Sequence, residues 1–212
     1  MNRLRELPKL STSQKLMVFT SSMILFGLSS LIAKLLPSLD FGPFTLSAEY
    51  LAFIPLIMCI VFHPFYAAFG AAAGQLVVNG LIISQVSGID GLEKFFSLFL
   101  ALFIAGILVK DPENRKQTAV AAMSFAVIYF GLGSLADLLH VIGGAGELAV
   151  LPGLAQIIIV IEIFSFFNAV LVSGILFGML PVLYLMPYLN SQLRFWHRRS
   201  IVLKARRIRS FG

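Results

Sequence analysis

Asp137 and His140 stand three residues apart in an otherwise apolar run. On a helix that spacing puts both on one face. A carboxylate and an imidazole so placed can share a proton or hold a polar ligand between them. Gln75 and Asn79, one turn apart, form a second such pair. Glu49 and Tyr50 open a third apolar stretch, and Gln156, Glu162 and Asn168 are strung along a fourth. Each has a plainer reading beside the chemical one. Asp137 and His140 fit a local pair at headgroup level, and Gln75 and Asn79 fit interhelical hydrogen bonds. Glu49 fits a helix start, where a carboxylate meets the positive end of the dipole. Glu162 is the hardest to place this way. About nine residues at 1.5 Å each put it about 14 Å along its helix, and a charge at mid-bilayer costs roughly 2.5–3.5 kcal/mol.

Known catalytic patterns are missing. The three histidines, His63, His140 and His197, are scattered, and there is no HExxH or Cys/His cluster. No GxSxG occurs. Ser134 and His140 lie six apart on one helix and so face different ways. No Walker A or GxGxxG pattern appears. An enzyme with its own metal, nucleotide or other cofactor is not expected, and any ATP used must be bound by another chain. Cys59 is the single cysteine, so no internal disulfide forms.

The elements that carry these residues are membrane helices. The chain is 58% hydrophobic and 12% charged, about half the charge of a soluble domain. Six apolar stretches approach the roughly 20 residues of a spanning helix. They run about Gln14–Leu36, Ala48–Phe62, Pro64–Ser84, Leu92–Val109, Gln117–Ile142 and Gly153–Met186. The first lacks a cleavage signature and reads as a retained helix. The expected fold is an all-α integral membrane protein. A short N-terminal segment (1–13) precedes a six-helix domain (14–186) and a basic tail (187–212).

Basic residues set the orientation. Of the 16 Lys and Arg, 14 fall before or at the very start of the first helix (Arg3, Arg5, Lys9 and Lys15), in the connection after the fourth, or in the tail. Only Lys34 and Lys94 fall on the other side. Both termini are therefore expected inside, and the connections 37–47, 85–91 and 143–152 outside. The tail reads as a topology anchor touching anionic headgroups of the bilayer or as a docking segment, and not as a nucleic-acid site. With this orientation the polar residues of four helices gather at one depth in the outer half, as if lining a cavity that opens outward. The loop Pro37–Ser47, with Phe41 and Phe44, and the glycine-rich loop Gly143–Pro152 would frame it.

Small residues mark a helix contact. Gly70 and Gly74 form a GxxxG, flanked by Ala67 and Ala71. Ser22, Ser29 and Ala33 form a looser set on the first helix. Such stripes let helices approach closely in lipid, either within this bundle or against a partner.

Residues 53–75, FIPLIMCIVFHPFYAAFGAAAGQ, resemble the S components of energy-coupling factor (ECF) transporters, which belong to the ABC transporter class. Pro55, Phe62, Pro64, Gly70, Gly74 and Gln75 carry the likeness. Phe167-Asn168-Ala169 through Gly174 to Pro181 is similar to the last helix of that family. The resemblance implies a vitamin-binding subunit in a prokaryotic plasma membrane. Its substrate would bind near the external face, at Phe41, Phe44, Glu49, Tyr50, Gln75, Asn79, Asp137, His140, Gln156, Glu162 and Asn168. The small-residue stripes would dock a membrane coupling subunit that carries two cytoplasmic ATPases, which use the ATP. The divergent, longer chain looks most like the cobalamin-specific kind, with pantothenate, folate or another vitamin as alternatives. Two other classes stay open. One is a stand-alone proton-coupled carrier using Asp137, His140 and Glu162. The other is a scaffold in which the polar groups are structural.

Overall fold

The computed structural model describes residues 10–35, 39–41, 44–46, 53–78, 80, 88–142, 152–189 and 191. Helices dominate. Their order is α1 (Thr12–Leu35), α2 (Phe53–Val61), α3 (Pro64–Val77), α4 (Gly88–Leu108), α5 (Arg115–Ile142) and α6 (Pro152–Ala169). From α6 the chain runs through a π-helical segment, Val170–Met179, into helical residues 180–189. Between α1 and α2 lie two short antiparallel strands, β1 (Leu39–Phe41) and β2 (Phe44–Leu46), with Phe41 opposite Phe44. This hairpin corrects the reading of 37–47 as plain loop. Strand β2 lies against α6.

Local chemistry sets the helix starts. At α1, Ser11 Oγ accepts from the Gln14 N–H at 3.3 Å, and Gln14 Oε1 accepts from the Ser11 N–H at 2.9 Å. That is a reciprocal capping box. At α5, Asn114 Oδ1 accepts from the N–H groups of Lys116 and Gln117, as an N-cap should. Pro64 opens α3, where its missing N–H costs nothing. It also holds His63 extended, at φ −130° and ψ 116°, which separates α2 from α3. Across the α4–α5 connection, Gln117 Oε1 accepts from the N–H groups of Lys110 and Asp111 and closes the turn.

Contacts between named residues fix the helix directions. A Cβ built on Gly70 would overlap the carbonyl oxygen of Phe19, and one on Gly74 that of Met23. A Cβ on Gly27 would lie 3.2 Å from Val78. Numbers rise together on both helices, so α1 and α3 run parallel. The chain must therefore return between Leu35 and Pro64, and α2 is part of that return. Phe65 meets Phe103 and Phe69 meets Phe99, so α4 runs antiparallel to α3. Helix α5 turns back through the short connection and packs along α4. Phe166 approaches Gly131, and Gly174 approaches Ala126, so the last helical run is antiparallel to α5. The Gly174 contact falls within the π segment, whose Leu180 N–H bonds back to Ile175 O. A π-helix this long is rare.

Packing is inverted relative to a soluble core. The buried positions include Ala67, Ala68, Ala71, Ala72, Ala101, Ala105, Ala121, Ala122 and Ala126. Large side chains such as Leu16, Met17, Phe96, Val160, Phe167 and Leu171 are exposed. Small interiors permit close helix approach, and an apolar exterior suits lipid. Among the described residues, four helical runs are long and apolar enough to cross a membrane: Thr12–Ile32, Gly91–Leu108, Arg115–Ala136 and Ile159–Leu189. The described parts of α2 and α3 lie within the stretches read from sequence, whose remaining ends fall partly outside the described residues.

The α1–α3 contact predicts a sharp mutational contrast. Gly70→Leu or Gly74→Leu drives a side chain into backbone that cannot yield. Overpacking of this kind typically costs about 1–3 kcal/mol or more. Thermal unfolding in detergent should show a clearly lowered Tm. Gly133→Leu, where a Cβ meets nothing within 4 Å, should stay close to wild type.

Candidate functional site

Among the predicted substrate-binding residues whose side chains are described, Gln75 is the one the structure buries, at 7% exposure. Its Nε2 donates to the Tyr129 hydroxyl at 3.1 Å. Helices α3 and α5 each pack along α4 rather than along one another. The bond therefore reaches across the interior of the bundle. Tyr129 is held in place by its neighbours. Its ring stacks on Phe125 at 5.7 Å between centroids and tilts against Phe130 at 5.1 Å.

The carboxamide is only half satisfied. Gln75 Oε1 is buried with no hydrogen-bond partner. An unmet buried acceptor costs about 1–3 kcal/mol, so such an atom asks for a reason. The level of Gln75 bears on that reason. At 1.5 Å per residue, Gln75 stands about 16 Å above Pro64, whereas α2 begins at Phe53, about 12 Å above Val61. Among the described residues, α2 fills the half of the bundle nearer Pro64 with Leu56, Cys59 and Ile60. Gln75 lies about one turn beyond its start.

Helix α4 brings a carboxylate to the same level. Pro64 lies against Gly106, and Phe69 against Phe95 and Phe99. That register sets Glu93, which is half-buried, beside the level of Gln75 and Tyr129. The adjacent Lys94 is exposed. Sequence reasoning passed over both Glu93 and Tyr129. Tyr129 offered a signal, as a tyrosine deep in an apolar run whose hydroxyl needs a partner.

The other predicted residues spread along the bundle instead of meeting at one depth. The Gly131–Phe166 contact levels Asn168, half-buried, with Tyr129. By the same register Glu162 sits about 9 Å further along the bundle, Asp137 about 12 Å, His140 about 16 Å and Gln156 about 18 Å. For these four only the helix positions are described. Phe41 and Phe44 are paired strand residues whose side chains lie outside the described set. Glu49, Tyr50 and Asn79 lie outside the described residues altogether.

The expected docking stripe is spent inside the chain. Ser22, Ser29, Ala67, Gly70, Ala71 and Gly74 are all buried, and those near the α1–α3 contact hold it together. Ser22 Oγ donates to the Ala67 carbonyl at 2.7 Å. Ala33 is on α1, and its side chain is not described. The stripe is thus not a free face for another protein's helices. Of the grooves among described residues, one of about 230 Å³ is lined by Leu10, Met17, Met58 and Phe62, and another follows Val120, Met123 and Val127 on α5. Both are apolar, and neither is lined by Gln75. No group of three His, Cys, Asp or Glu gathers among the described residues.

Several long apolar helices around an alanine-rich interior define a multi-pass helical membrane protein. The chain belongs to a family of unknown function, DUF8171, which covers residues 17–194. No curated protein and no solved structure matches it.

The half-satisfied carboxamide predicts opposite effects of two substitutions. Tyr129→Phe strands Nε2 as well and should cost about 1–2 kcal/mol. Gln75→Leu removes the unmet acceptor and should leave stability unchanged or raised. Thermal unfolding of both variants in detergent checks the pair.

Proposed function

We propose that this chain is the solute-binding membrane subunit, or S component, of an ATP-driven ECF-type vitamin importer in a prokaryotic plasma membrane. It crosses the membrane six times with both termini inside. The alternating helix directions and the one-sided placement of basic residues support that topology. The solute enters from outside and reaches Gln75.

The observation that carries this reading is the buried Gln75 oxygen without a partner, held by Tyr129 across the bundle. Structural glue normally satisfies its own polar atoms, whereas a binding residue keeps one for the ligand. ATP is hydrolysed by two partner subunits, joined through a membrane coupling subunit. With the small-residue stripe used internally, that subunit meets lipid-facing side chains. Cobalamin is the preferred substrate, and pantothenate or folate is next.

Affinity purification from the native cell in mild detergent, with mass spectrometry of proteins and small molecules, tests the proposal. A coupling subunit, two ATPases and a bound vitamin are expected. A chain that emerges alone and imports solute under an uncoupler-sensitive gradient contradicts it and favours the proton-coupled carrier.

A further inference from the structure

We infer that the groove between α1 and α2 holds one acyl chain of an anionic phospholipid, whose phosphate pairs with Lys15. The inference concerns the end of the bundle away from Gln75 and stands apart from the importer reading. Leu10, Gln14, Met17 and Ser21 line one side of the groove, and Met58 and Phe62 line the other. Its volume is about 230 Å³. From Leu10 to Ser21 the chain rises about 16 Å at 1.5 Å per residue. Half of a hydrocarbon core roughly 30 Å thick is about 15 Å, which is the reach of one acyl chain in its own leaflet. The lining is almost wholly apolar, and the exposed Met17 opens it to lipid.

A cation stands beside one end of this groove. Lys15 follows Gln14 in the first turn of α1, and it is half-buried. Its ammonium lies 5.7 Å from the centre of the Tyr66 ring. That ring meets His63 at 4.8 Å between centroids, and His63 adjoins the groove residue Phe62. A cation–π contact holds an ammonium in place without neutralising it. No Asp or Glu lines the groove, and Lys15 makes no ion pair among the described residues. The positive end of the α1 dipole adds to the attraction for a phosphate. Pro64 lies against Gly106, so the exposed Lys110, Arg115 and Lys116 gather at the same end of the bundle. An apolar groove of one chain length that ends at an unpaired cation complements an amphiphile with an anionic head. A neutral lipid fills the groove but leaves Lys15 without a counter-ion.

The test uses the purified full-length chain in detergent micelles, with native mass spectrometry of lipid adducts as the readout. Phosphatidylglycerol and phosphatidylcholine with the same acyl chains are the probes. Wild type should retain phosphatidylglycerol in preference, by roughly fivefold for one cation at the headgroup. Lys15→Gln should bring the two lipids level, and Lys15→Arg should keep the preference. Lys110→Gln, at the same end of the bundle but outside the groove lining, should keep it too. Met58→Trp fills the groove and should lower retention of both lipids. Ser21→Leu does the same by a smaller change if the tryptophan variant folds poorly. Equal retention of the two lipids by wild type overturns the inference, as does a preference that survives Lys15→Gln. A preference lost equally in Lys110→Gln points to a diffuse basic belt and overturns it. Retention unchanged in both groove variants, or no lipid retained at all, overturns it as well.

Discussion

The backbone contact between α1 and α3 is the constraint on which the rest of the bundle depends. Glycine at 70 and 74 lets α3 lie directly on the carbonyl groups of Phe19 and Met23. No side chain separates the two backbones there. Because the contacts keep a constant offset, the helices must point the same way. Chain direction elsewhere follows from it. The connection after α1 has to travel back across the bundle before α3 can start, and α2 is the helical part of that return. Pro64 then makes the reversal sharp, and α4 lies antiparallel along an aromatic ladder of Phe65, Phe69, Phe95, Phe99 and Phe103.

Lipid changes what a core must do. With no hydrophobic drive between helices in hydrocarbon, small side chains and short polar bonds supply association. Alanine and glycine therefore occupy the interior, and phenylalanine and leucine face outward. Against that plain interior, a glutamine bonded to a tyrosine on a helix it does not pack along is conspicuous. Its cost asks for a compensating partner, which the proposed solute would supply. The π segment beside α5 adds to the case for this level of the bundle, since π-helical turns gather at functional sites. Ala126 is buried against Gly174 three residues from Tyr129.

Hydropathy made the helical stretches legible. Each apolar run holds a helix, and α1, α5 and the last helix begin and end within a few residues of the reading. Gly70 and Gly74 were legible as a contact surface, but not their partner. Small residues permit approach without naming what approaches, and the chain's own α1 took the place reserved for another protein. The single depth assigned to the polar residues failed for a related reason. Distance from a helix end ignores the register between neighbours, and the Gly131–Phe166 contact moves His140 and Gln156 well outward of Gln75. The segment Pro37–Ser47 read as a loop, although Leu39–Phe41 and Phe44–Leu46 within it pair as strands. Glu93 was hidden by Lys94 beside it, because two opposite charges near a span end look like an interface.

The central proposal is a bundle of alternating helices with both termini inside, and residue accessibility in intact cells tests it most directly. Cysteine is placed at Asn114, in the α4–α5 connection, or at Gly146, in the connection before α6, with the buried Cys59 replaced by alanine. A membrane-impermeant thiol reagent is then applied before and after permeabilisation. The account predicts labelling at 146 in intact cells and at 114 only after permeabilisation. Labelling of both positions from one side, or the reverse pattern, would contradict it.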